Sequence, residues 1–158
     1  MKKLIIIISV YSALLSNIAF AGELISFDSV RIEFKKSRDE NRITYLLSRC
    51  AALQINVAAL LQKGGANDTA STYEKAAQQY MILAESVEEA VLKKRGVKDA
   101  DPARNVSISV TNIAELYSKQ MNSNYAKRGD YIIGDTQLQK EIEDCSKQDK
   151  FLEKILGK

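Results

Sequence analysis

The sequence predicts an all-α protein, an up-down antiparallel bundle of four main helices, on three observations. Apolar residues recur at helical spacing in four segments. Glycines or an Asp-Pro pair punctuate those segments. The only two cysteines, Cys50 and Cys145, fall on the apolar stripes of the first and the last.

The chain opens MKKLIIIISVYSALLSNIAFAGE. Lys2 and Lys3 form a basic start, Leu4 to Leu15 is nearly all apolar, and Ala19-Phe20-Ala21 fits a small-x-small cleavage site. This predicts a signal peptide over 1–21, removed after Ala21. No cysteine lies near the cleavage site to carry a lipid. Residues 22–158 are then one domain, expected in a periplasmic or secreted compartment. Without Lys2 and Lys3 there remain 21 Lys+Arg against 20 Asp+Glu, close to neutral. That balance argues against nucleic acid as a partner, because phosphate binding needs a clustered positive field. No second apolar run approaches membrane-spanning length.

Residues 22–36 leave a helix, a strand or an arm open. Val30, Ile32 and Phe34 alternate with charges like a strand, whereas Phe27, Val30 and Phe34 fit a helix. A single strand has no evident partner, which favours a short helix or an arm packed on the bundle. The first main helix is expected over about 37–62. Ser37 and Glu40 have capping-box spacing, and Ile43, Leu46, Cys50, Leu53, Val57 and Leu60 form its seam. Gly64 and Gly65 end it. The second is expected over about 71–95. Ser71 and Glu74 suggest another capping box, with a seam of Tyr73, Ala76, Tyr80, Leu83, Val87 and Ala90. Ala77, Ala84 and Val91 widen that stripe, and Gly96 follows.

The third helix, about 102–125, starts at Asp101-Pro102, a good cap followed by a residue suited to the first turn. Val106, Val110, Ile113, Tyr117 and Met121 continue it, although VSISVTN over 106–112 also alternates like a strand. The fourth, about 136–156, carries Leu138, Ile142, Cys145, Leu152 and Leu156. Tyr131, Ile132 and Ile133, between the last two helices, form an apolar cluster outside any seam and a candidate contact patch.

The chain contains no histidine. A c-type haem motif and a Glu-x-x-His di-iron site are therefore missing, and two cysteines do not close a zinc site. Met81 and Met121 read as core fillers. Neither cysteine has a base beside it, and an apolar seam raises a thiol pKa. No catalytic, cofactor or metal residues are expected. Glu85, Glu88 and Glu89, and Glu141, Glu143 and Asp144, form carboxylate clusters that read as solvated helix faces. A carboxylate-based enzyme is the weaker alternative. Lys93, Lys94 and Arg95 fall in a last helical turn and suit the helix dipole. Two cysteines in a small exported domain usually pair, so a Cys50–Cys145 disulfide across the first and last helices is expected. The functional expectation is a non-enzymatic interaction protein (inhibitor, immunity, adaptor or chaperone-like) whose partner is another exported protein. The alternative is a binder of a small apolar ligand held between the helices.

Overall fold

The computed structural model describes residues 24–147 and Lys150. The proposed signal peptide lies outside the described residues, as do Leu152 and Leu156 of the predicted fourth stripe. The described residues form five α-helices and no strand: α1 Phe27–Ser37, α2 Glu40–Lys63, α3 Asn67–Lys94, α4 Pro102–Arg128 and α5 Thr136–Ser146. Four main helices were expected, and the additional one is α1, where the sequence left several conformations open. Its apolar face of Phe27, Val30 and Phe34 is buried, so the helical spacing prevails over the alternation.

Cap chemistry explains where the helices begin, and twice corrects the sequence reading. Ser37 and Glu40 form no capping box. Arg38 adopts a left-handed conformation (φ 54°) that ends α1, and the Asp39 side chain then accepts the backbone N–H of Asn41 to start α2. Ser71 is not a cap either, because α3 begins at Asn67 after Ala66, which supplies no side-chain bond. Asp101 and Asp135 cap α4 and α5 as expected, accepting the backbone N–H groups of Arg104 and Leu138. VSISVTN lies wholly inside α4, which runs three residues beyond the predicted end. α5 is described over Thr136–Ser146 with Lys147 as its cap, and the rest of the predicted helix to 156 lies, apart from Lys150, outside the described residues.

α2 is the central element and packs most extensively on α3, with contacts also to α1, α4 and α5. Its predicted seam is buried from Ile43 to Val57, with Leu60 partly exposed at the end. One sequence reading is corrected here: α2 is an apolar run of membrane-spanning length and composition, although most of its apolar window is buried inside the protein. On α3 the buried line is not the predicted seam. Tyr80 is fully buried, whereas Tyr73, Leu83 and Val87 are partly buried and Ala90 is exposed. The residues that merely widened the stripe are buried beside Tyr80: Ala77, Ala84 and Val91, joined by Ala70, lie at seven-residue intervals on one face. Small side chains there let α3 approach α2 closely. On α4 the predicted stripe from Val106 to Met121 is buried throughout.

Contacts at the helix ends fix relative directions. Lys94 pairs with Glu40 and Gln62 bonds Glu74, so α3 runs back along α2. Asp135 accepts amide N–H groups of Gln120 and Asn124, and Glu141 meets Tyr117, so α5 runs back along α4. The Cys50 and Cys145 sulfurs stand at disulfide distance with Cα atoms 5.3 Å apart, joining α2 to α5 across 95 residues of sequence.

Candidate functional site

A polar centre lies where α1, α2, α4 and α5 meet. Arg49 is one residue before Cys50, and Glu141 is one helical turn before Cys145. The register that brings the cysteines together therefore also brings the two charges together. The Arg49 and Glu141 side chains are 0 % and 3 % exposed, with Nη2 donating to Oε2 at 2.7 Å. Arg49 Nε donates to the Tyr117 hydroxyl at 3.1 Å, and Nη1 donates to the Ile25 carbonyl. The Tyr117 hydroxyl donates to the same Glu141 oxygen, and Gln137 Nε2 donates to the other at 3.1 Å. The Phe27 ring covers the guanidinium at 4.7 Å from its centroid.

These contacts set the electrostatics. Burial pushes the Tyr117 phenol well above the ordinary tyrosine value, outweighing Arg49, which pulls it down. Tyr45 is likewise raised, by burial first. For Arg49, burial acts to lower the pKa, but Tyr117, Glu141 and Tyr45 together outweigh it and the guanidinium is held more firmly protonated. The centre therefore holds a fixed cation and a phenol that keeps its proton at neutral pH. Its bonds run between side chains of α2, α4 and α5 and to the chain just before α1, so they tie these elements together.

A second internal bond set closes α5. The Cys145 carbonyl accepts the Tyr80 hydroxyl at 2.8 Å and Gln54 Nε2 at 3.1 Å, so a helix-end acceptor inside the fold is satisfied. Tyr80 and Tyr117 are both fully buried and fill the interior.

The predicted carboxylate clusters separate. Glu141 was read as part of a solvated face, and the structure corrects this: it is buried against Arg49. Glu143 is on the surface, where it pairs with Lys147. Glu88 accepts the Asn105 side-chain amide at 3.2 Å, and Glu89 is exposed. No group of three or more Cys, Asp or Glu residues placed to hold a metal ion occurs among the described residues.

The predicted contact patch is divided. Tyr131 and Ile132 are partly buried and pack on the core, while Ile133 is 67 % exposed. Tyr131 stacks on Tyr125, with ring centroids 4.5 Å apart, and Tyr125 is half exposed. Lys63 Nζ donates to the Tyr131 hydroxyl at 3.2 Å. The connecting loop is tightly held. The Asp130 carboxylate accepts the backbone N–H groups of Ile132 and Ile133, and these bonds hold its pKa below the ordinary carboxylate value. Asn124 donates to the Tyr131 carbonyl, and Arg128 donates to the Gly134 carbonyl. Sequence reading found Tyr131 and Ile133 but missed Tyr125, which lies eight positions before Ile133 at the end of α4. It also missed Arg49, which no short motif marks. No family model, curated protein or solved structure matches the chain.

Proposed function

We propose that this is an exported, non-enzymatic protein-binding module. In this reading the signal peptide over 1–21 is removed, the remainder is an up-down antiparallel bundle, and the Cys50–Cys145 pair is a disulfide formed in the periplasm or outside the cell. The cysteine pair supports an oxidising location. One observation carries the binding proposal: the corner made by Tyr125, Tyr131 and Ile133. It presents a stacked aromatic pair and an exposed isoleucine on a loop already held by the Asp130, Asn124 and Arg128 bonds. Tyrosines are enriched in binding hot spots, and a loop fixed beforehand loses little entropy on binding. The partner is another exported protein.

Site-specific photocrosslinking in the native host tests the reading. A photoreactive residue at Ile133 is expected to yield a discrete adduct with one partner protein. The same residue at Ser107, exposed on α4, is not. Tyr125→Ala is expected to abolish the adduct while leaving the helical circular dichroism unchanged. Identical adducts from both positions, or none from Ile133, would count against the proposal. The second reading, a small apolar ligand, is supported by a groove of about 560 Å³ along α4 whose lining includes Tyr45, Ile108, Ile113 and Leu116. Native mass spectrometry of the purified protein checks it through a bound mass lost on Ile108→Glu.

A further inference from the structure

Lys93, Lys94 and Arg95 suit the dipole of their own helix, but the fold gives them company. The Lys94–Glu40 contact places the end of α3 beside the start of α2, and the turn at Arg38 brings the end of α1 to the same place. Lys35, Lys36 and Arg38 therefore share one end of the molecule with Lys93, Arg95 and Lys98. All six are exposed, and none forms an ion pair among the described residues. The stretches 33–42 and 93–104, counted with Glu33, Asp39, Glu40, Asp99 and Asp101, still carry more positive charge than the +3 of the whole chain, so the rest is net acidic. A dipole accounts for cations in a single last turn. It does not account for Lys98, which lies beyond the helix, or for positive charge gathered from two helices and a loop.

The opposite end differs. Lys63 is engaged by Tyr131 and Arg128 by the Gly134 carbonyl, and Asp130 and Asp135 stand beside them. The basic end also carries an apolar tip. Val97 is 47 % exposed in the turn Gly96-Val97-Lys98, where Gly96 has φ 72°. A groove of about 740 Å³ between α3 and α4 begins there, with Leu92 and Val97 beside Lys93 and Lys98, and Glu85 and Glu89 lining its length along α3.

We propose that this end of the molecule docks on an anionic lipid surface, the cations facing headgroup phosphates and Val97 entering the interface between them. Clustered Lys and Arg residues are attracted to anionic leaflets, and an apolar side chain among them favours a membrane over a soluble polyanion. This goes beyond the protein-binding reading, because it uses the end away from Tyr125 and Ile133. Those residues remain free to meet a partner when the basic end is docked.

Flotation with lipid vesicles tests it, using the exported protein with its amino terminus first established by mass spectrometry. Binding is expected to vesicles containing phosphatidylglycerol, to weaken with salt, and to be lost on pure phosphatidylcholine, which also controls for any retained leader. Lys93→Glu with Arg95→Glu and Lys98→Glu is expected to weaken binding by more than about a hundredfold, since each cation near such a surface contributes roughly a factor of five. The chain contains no tryptophan. Val97→Trp therefore gives a unique probe whose emission is expected to shift to the blue on anionic vesicles, while Ile133→Trp stays unchanged. Equal binding to both vesicle types, retention on heparin without vesicle binding, or no shift at Trp-substituted Val97 would overturn the proposal.

Discussion

Replacing Glu141 by Gln isolates the electrostatic part of the tie. The substitution keeps the shape of the side chain and deletes its charge. Arg49 is then left with the Tyr117 hydroxyl and the Ile25 carbonyl, both neutral. The guanidinium is fully buried, so water cannot replace the lost partner, and it cannot shed its proton. With charge centres about 4 Å apart and an effective dielectric constant of about 20, the lost attraction is about 4 kcal/mol. That agrees with the roughly 3–5 kcal/mol typical of breaking one side of a buried pair. Against a typical domain stability of about 5–15 kcal/mol, this is a large fraction. The expected fall in midpoint temperature is about 10–20 °C for a domain of this size. Urea and thermal unfolding followed by circular dichroism measure it. Arg49→Met combined with Glu141→Leu is expected to recover most of the loss, because the penalty arises from the orphaned charge rather than from the absence of a pair. A Glu141→Gln protein within about 1 kcal/mol of wild type would refute the reasoning, as would a double variant no better than the single one.

Three further outcomes follow from other parts of the fold. Cys50→Ser is expected to cost up to about 4–5 kcal/mol under non-reducing conditions, the chain-entropy value for a loop of 95 residues, and nothing further when reductant is added. The Tyr117 contribution to stability is expected to be constant below about pH 10 and to be lost as pH rises from there through the raised Tyr117 value, because the unfolded chain gives up that proton first. Tyr117→Phe is expected to shrink this step to the part owed to Tyr45, and absorbance of tyrosinate during urea titrations at increasing pH follows it. Ala66→Asp supplies the cap that α3 lacks and is expected to add about 1 kcal/mol, read as a higher urea midpoint.

The amphipathic elements were legible because their order is periodic and local. α4 is the clearest case: every member of its predicted stripe is buried. The end of α1 was not legible, since Arg38 in a left-handed conformation follows from how α1 folds back on α2, and no glycine announces it. α3 shows a subtler limit. Reading large apolar residues as the seam favoured Leu83 and Val87, but Ala70, Ala77 and Ala84 are buried while Leu83 and Val87 stay only partly so. The nearness of Cys50 and Cys145 was legible from their count and their places on two apolar stripes. The polar centre was not, because Arg49 and Glu141 are 92 positions apart and each looks like an ordinary helical surface charge until the cysteines set the register. Charge gathered at one end was equally hidden. Lys36 and Lys93 become neighbours in kind only after two helices finish at the same place.

Where the cysteine pair forms the proposed disulfide, its burial has a kinetic consequence. Cys50 and Cys145 are 0 % and 1 % exposed, and an attacking thiolate must reach a sulfur to exchange with it. Reduction therefore waits for α5 to lift away from α2, and its rate counts those openings. Each opening must first part Glu141 from Arg49 and release the Cys145 carbonyl from Tyr80 and Gln54. The weaker, non-covalent contacts thus guard the covalent one. A reductant too slow to catch a rare opening leaves the bond intact, and the lifetime of the cross-link becomes a clock for how firmly the last helix is held.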